Sequence, residues 1–266
     1  MRNALRAEWT KLRTLPSNAW TMVGLAVLMA AGAVVVIAAT DVPGCRVDRD
    51  GCPPQDVTAL MLMGVHVAQI AAIALAAAAI CAEFQPRLIR ATFAMKPQRR
   101  TVFAAKALVV GGAVLVTALA GTIAAILIGR SATTSKGLTA QRGYLQPALT
   151  AGSLQRAVLG TVLYLILVAL LTAGIAAAVR HVGAAIGIAV TALYGPYMVT
   201  VLVPMSAHTL TRIQDAAPMM AGLAVQTTVA GTGTSSLSPW AGLAVLAAYA
   251  VGTLLIGGAL FTVRDV

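Results

Sequence analysis

Six stretches of this sequence are apolar over about twenty residues or more, and that feature leaves few folds open. They are Trp20–Thr40, Thr58–Ala82, Val102–Gly129, Leu154–Val179, Gly183–Pro204 and Pro239–Thr262. Each is long enough to cross the hydrocarbon of a bilayer as a helix, which takes ~20 residues. Backbone groups in hydrocarbon must be satisfied within the protein, so only helices and closed barrels span it. The runs are continuous in Ala, Leu, Val and Ile and do not alternate, which selects helices. Charged residues make up 10% of the chain, against roughly a quarter in soluble domains, so an ordinary globular domain is excluded. The expected fold is an all-α polytopic membrane protein of about six transmembrane helices, one transmembrane domain over residues 1–266. The first run follows a charged segment and lacks a small-residue cleavage site, so it reads as a retained span, not a signal peptide.

The net charge of +11 is informative through its distribution. Twelve of the 19 basic residues fall in alternate inter-span segments: Arg2, Arg6, Lys11 and Arg13, then Arg87, Arg90, Lys96, Arg99, Arg100 and Lys106, then Arg180 and Arg264. The other segments hold seven. This asymmetry is that of positive-inside topology and places both termini in the cytoplasm of a multi-pass plasma-membrane protein. Charge scattered beside spans, with no base-reading module, excludes nucleic acid as a partner. The most distinctive cationic piece is the linker Glu83–Arg100, which is poorly suited to lipid and well suited to docking a soluble partner.

The segments between spans carry further signals. Residues 1–16 have helical periodicity, with Leu5, Trp9 and Leu12 on one stripe and Arg2, Arg6 and Arg13 on another face. Such a helix is suited to lie in the headgroup plane against membrane lipids. Pro16 then breaks it, and Ser17 or Asn18 can cap the first span. Glu8 falls near the apolar stripe; it either pairs with Lys11, three residues on, or bridges to the Arg-rich linker. Cys45 and Cys52 share the loop Asp41–Val57 and could form a disulfide on an oxidising face, or stay as free thiols. Cys81 reads as a buried small apolar residue. Region 205–238 contains an apolar stretch, Ala216–Val229, too short to span and interrupted by Pro218 and Gly222. It reads as a re-entrant or interfacial half-helix, or else as a plain loop on the bundle's outer end.

Catalytic and nucleotide motifs are missing. There is no phosphate-cradling G-x-x-x-x-G-K-[ST], no H-E-x-x-H and no Ser-His-Asp arrangement, so neither an enzyme nor a self-contained ATPase is supported, and no metal or cofactor is expected in this chain. Mid-span carboxylates, which a secondary transporter needs for its coupling ion, are also missing. Candidate substrate-path residues are His66 and Gln69, three apart on one helix face, and Tyr194 and Tyr197 around the Gly195-Pro196 break of the fifth span. Their alternatives are bundle hydrogen bonds and an ordinary proline kink. Gly111-Gly112 and Gly257-Gly258 are expected to permit close helix packing.

Several of these residues together carry a resemblance. The opening Arg6-Ala7-Glu8-Trp9-Thr10-Lys11-Leu12-Arg13-Thr14, the linker Glu83-Phe84 with Ile89-Arg90-Ala91-Thr92 and Arg99-Arg100, Arg180-His181, Ser238-Pro239-Trp240-Ala241-Gly242-Leu243 and Arg264-Asp265 occur in one order along the chain. The set resembles the short ABC-2-type transporter permeases of bacteria. One departure is Arg87-Leu88 after Pro86, where those permeases usually carry a Gly-Thr-like pair. The resemblance implies the permease subunit of an ATP-binding cassette exporter. A separate ATPase would bind ATP and Mg and dock on Glu83, Phe84, Arg87, Ile89, Arg90, Arg99 and Arg100, the coupling helix of the family. Trp9, Glu8, Lys11 and Arg13 would belong to its interfacial helix, Ala216–Val229 would be its exterior re-entrant element, and a second permease copy would complete the path. A non-transporting membrane scaffold or immunity protein is the alternative.

Overall fold

The computed structural model describes residues 6–10, 14, 16–40, 56–82, 99–138, 144, 149, 151–229 and 235–263. Among them there is no strand. Six helical spans are long and apolar enough to cross a membrane, consistent with an all-α multi-pass membrane protein. In chain order the helices are α1 (Pro16–Ala39), α2 (Val57–Leu62), α3 (Val65–Cys81), α4 (Arg99–Ser135), α5 (Gly152–Val179), α6 (Val182–Leu202), α7 (Ala207–Ala216), α8 (Pro218–Leu223) and α9 (Pro239–Val263). A 3₁₀ turn, Ala224–Gln226, extends α8.

All six expected spans are present, with local differences. α1 starts at Pro16 itself, because proline's fixed φ and missing N–H suit a helix's first turn. Ser17 and Asn18 therefore lie inside that turn and not at its cap. The second span is two helices, α2 and α3, joined at Met63-Gly64 and forming one 25-residue span. Asp56 caps its start: the side chain accepts the Ala59 N–H at 3.1 Å. The third span begins at Arg99, so Arg99 and Arg100 belong to the first turn of α4. At 1.5 Å per residue its 37 residues run to about 55 Å, well beyond a hydrocarbon core of roughly 30 Å. The fifth span is not broken at Tyr194–Tyr197. α6 runs through Pro196 to Leu202, since a single proline in a span bends a helix more readily than it ends one.

One face of the bundle, the near face, gathers residues 6–10, the end of α3, the start of α4, the α5–α6 turn and the end of α9. Phe103 and Phe261 pack there with ring centroids 5.7 Å apart. Arg180 makes the α5–α6 turn in the left-handed region (φ 61°), and its guanidinium donates to Leu260 O at 3.3 Å. His181 then caps α6, its Nδ1 accepting Ala184 N–H at 3.2 Å. The far face holds the α2 start, the α4 end and α7 through to the start of α9.

The central core is built around Leu25, Met29, Leu62, Ile73, Val114 and Leu165, with smaller clusters around Phe103 and Phe261 at the near face and around Ile37 and Met61 at the far face. Apolar burial gives little drive between helices in lipid, so close van der Waals fit has to supply it. Two crossings show how. A Cβ on Gly64 would stand 2.0 Å from Met29 O, so only glycine admits α1 at that point. A Cβ on Gly257 would stand 2.2 Å from Gly174 O, which fixes α5 against α9. Gly257 thus serves the packing role expected of it, whereas Gly112 faces open space.

Candidate functional site

Where α3, α5, α6 and α8 converge, four polar groups meet inside an apolar bundle. Gln69 of α3 is fully buried. Its Oε1 accepts from the Tyr164 hydroxyl of α5, and its Nε2 donates to Met219 Sδ of α8 at 3.4 Å. Tyr164 is the largest fully buried side chain among the described residues. From α6, the Tyr194 hydroxyl donates to the backbone oxygen of His66. One carboxamide therefore reads the position of two other helices at once. Polar groups this deep are costly unless satisfied, so the junction favours a single relative placement of the four elements.

The expected path residues divide. Gln69 and Tyr194 belong to the junction. His66 contributes its carbonyl and not its imidazole. Tyr197 is 40% exposed on the outer side of α6 and takes no part. Tyr194 reaches across to α3, whereas Tyr197, one turn further along α6, is turned outward. Tyr164 and Met219 were not foreseen, although a tyrosine in the interior of an apolar run, away from its ends, is the kind of residue that marks such a place.

α8 and its 3₁₀ turn occupy the far half of this junction. Ahead of the expected apolar stretch Ala216–Val229 the chain forms a helix, α7, with no buried residue; within that stretch it forms the buried α8 and its 3₁₀ turn. Pro218 opens α8 at its first turn instead of interrupting it. Gly222 lies within 3.0 Å of the Tyr164 ring as measured from an ideal Cβ, so it admits the tyrosine. Tyr164 is twelve residues into α5 and Leu246, its neighbour across Gly222, seven into α9. At 1.5 Å per residue those depths are about 18 and 10 Å.

Three further contacts strap this element to the far face. Gln226 Nε2 donates to Thr161 Oγ1 at 2.9 Å. An Arg156 guanidinium nitrogen donates to Thr227 O at 2.7 Å. The buried Asp56 carboxylate accepts from Thr228 Oγ1 at 2.7 Å, from Val229 N at 3.0 Å and from Thr228 N. Asp56 sits where a helix cap was readable, directly before an apolar run; its second set of partners is about 170 residues away and invisible to any local pattern.

The near face carries the second anchor. Glu8 Oε2 stands 2.8 Å from Lys106 Nζ, both residues buried, and the same ammonium donates to Ala79 O in α3 at 3.1 Å. Lys106 lies seven residues inside α4, past the linker; Lys11 and residues 83–98, the partners expected for Glu8, lie outside the described residues. Lysine's long stem is what lets a charge on α4 reach both a neighbouring segment and a carbonyl of the next helix. Trp9 is 45% exposed beside it. Cys81 is a buried free thiol, as expected, its Sγ 3.8 Å from Ala176 O.

Lys11, Arg13, Cys45, Cys52, Glu83, Phe84, Arg87, Ile89 and Arg90 lie outside the described residues, and Arg99 and Arg100 are described as backbone only. Among the described residues, no group of three His, Cys, Asp or Glu could hold a metal ion. Neither a family model nor a curated protein matches this chain.

Proposed function

We propose that the chain is the membrane-embedded permease of an ATP-driven exporter in a bacterial plasma membrane, with the near face cytoplasmic. A separate ATPase supplies nucleotide chemistry, binding ATP and Mg, and docks on the basic linker through Glu83, Phe84, Arg87, Ile89, Arg90, Arg99 and Arg100. The chain works in a pair, with a second copy or a close relative, since six spans are few to enclose a path.

The observation that carries this reading is the continuity of α3. At its near end, Ala79 O is held by Lys106, and the chain then enters the cationic linker. At its middle, Gln69 holds Tyr164 and Met219. A displacement of the linker therefore has a packed route to α8, which acts as an exterior re-entrant element and far-side gate. A membrane scaffold has no need of a polar junction that registers four helices. The substrate class is set by what the far-side element admits.

The test is reconstitution with whatever ATPase co-purifies with this chain from membranes. Reversing charge at Arg90 together with Arg99 should strip the ATPase from the purified complex while leaving membrane insertion intact. Undiminished complex formation would count heavily against the linker as the docking site.

A further inference from the structure

α6 and α9 both pack on α5 but scarcely touch each other. The gap between them is a cleft of about 330 Å³, open sideways toward lipid. Leu171 and Ile175 of α5 form its floor, Pro196 and Tyr249 with Thr253 its two walls, and Pro218 at the α7–α8 junction its roof. No charged side chain lines it. Toward the near face it is shut by the Gly174–Gly257 crossing and by Arg180 reaching Leu260 O.

Tyr249 is the unusual member. It is 47% exposed and lies ten residues into the 25-residue α9, about 15 Å from the start. Tyrosines facing lipid normally sit at the two interfaces, where the hydroxyl reaches water. Here the hydroxyl is at mid-span and makes no hydrogen bond to the described residues. An unpaired donor in hydrocarbon is costly. Thr253, by contrast, satisfies itself on Ala250 O at 3.0 Å.

We infer that this cleft binds a neutral, largely apolar small molecule carrying a carbonyl or similar acceptor oxygen, which the Tyr249 hydroxyl engages. The volume suits a compact molecule and not a peptide, and the uncharged lining disfavours ions. The inference deepens the exporter reading by naming a ligand class, but it needs the spans only to be in a bilayer.

Benzophenone, a neutral ketone that labels protein on irradiation, is the probe, applied to the chain alone in lipid nanodiscs. Label should concentrate on peptides carrying Leu171–Ile175, Ala192–Pro196 and Tyr249–Thr253. Non-reactive fluorenone should compete, and fluorene, which lacks the oxygen, should compete far less. Tyr249→Phe should lower cleft labelling roughly 2- to 10-fold, the value of one hydrogen bond, and Ala192→Phe should lower it by filling the space. Even labelling of all lipid-facing helices would overturn the inference, as would labelling that Tyr249→Phe leaves unchanged. Cross-linking of two chains through Tyr249→Cys would also overturn it, by showing a second copy over the cleft. The ATPase is not in this experiment, so its failure to bind elsewhere does not bear on the result.

Discussion

Glu8 and Lys106 meet at 2.8 Å, and through Lys106 the N-terminal segment grips Ala79 O, two residues from the end of α3. The two helices that flank the basic linker are thus fastened to each other and to the segment ahead of the first span. Breaking one partner of a buried ion pair leaves a charge behind, at a cost on the order of 3 kcal/mol. Glu8→Ala and Lys106→Met should each lower the melting temperature of the purified chain. In the reconstituted complex they should uncouple substrate stimulation while basal ATP hydrolysis persists. The exchanged pair Glu8→Lys with Lys106→Glu should recover part of the loss; equal damage in the exchange and the single variants would show that the pairing itself does not matter.

The junction at Gln69 predicts a sharp split among four aromatic and imidazole side chains. Tyr164→Phe and Tyr194→Phe each remove one hydroxyl bond with little change of shape, worth about 1 kcal/mol in a membrane bundle. Both should reduce transport. His66→Ala keeps the carbonyl that Tyr194 uses, and Tyr197 faces outward, so His66→Ala and Tyr197→Ala should transport near the parent rate. A uniform loss across all four in a vesicle transport assay would contradict the geometry.

Much of the framework was legible in the sequence because span length and apolar continuity are local properties. Gln69 was legible because a carboxamide inside an apolar run stands out locally. What escaped was long-range. Tyr164 carries its meaning only once α3 lies against α5, and Asp56 reads as a helix cap until Thr228 and Val229 are brought beside it. Glu8 stands out against the apolar stripe of its own helix, but its partner Lys106 is 98 residues away. Pro196 misled in the other direction, since the cost of a span proline is settled by its neighbours and not by its own ring.

The far-side element should be sensitive to bulk and to loss of its strap. Gly222→Ala places a methyl within about 3.0 Å of the Tyr164 ring, an overpacking expected to cost about 1–3 kcal/mol. Asp56→Ala removes the acceptor of Thr228 and Val229 along with the α2 cap, and should raise proteolysis near Val229 at the far face while leaving near-face cleavage unchanged. Equal protease patterns in parent and variant would remove Asp56 from this role.

Asp215 gives the pH prediction. Hydrogen bonds from Ser236 first, then Ser235 and the Ser236 and Leu237 backbones, hold its carboxyl below the usual carboxylate range. A lowered value means the tie between α7 and the approach to α9 is fully present above the unfolded value near 4 and is lost only as pH falls through the lower, folded one. Between pH 8 and pH 5 the protection factors of the Ser236 and Leu237 amides, taken against the intrinsic exchange rate at each pH, should therefore stay unchanged, whereas Asp215→Asn should lower them at both.

The central claim is that this chain is driven by another protein. Native mass spectrometry of the complex extracted from membranes, paired with an ATP hydrolysis assay on the same sample, tests it most directly. The account predicts two permease chains, each of 27.1 kDa if both are this one, bound to two ATPase subunits, with hydrolysis that substrate stimulates. A 27.1 kDa chain recovered alone or only with itself, from a preparation without ATP hydrolysis, would contradict it.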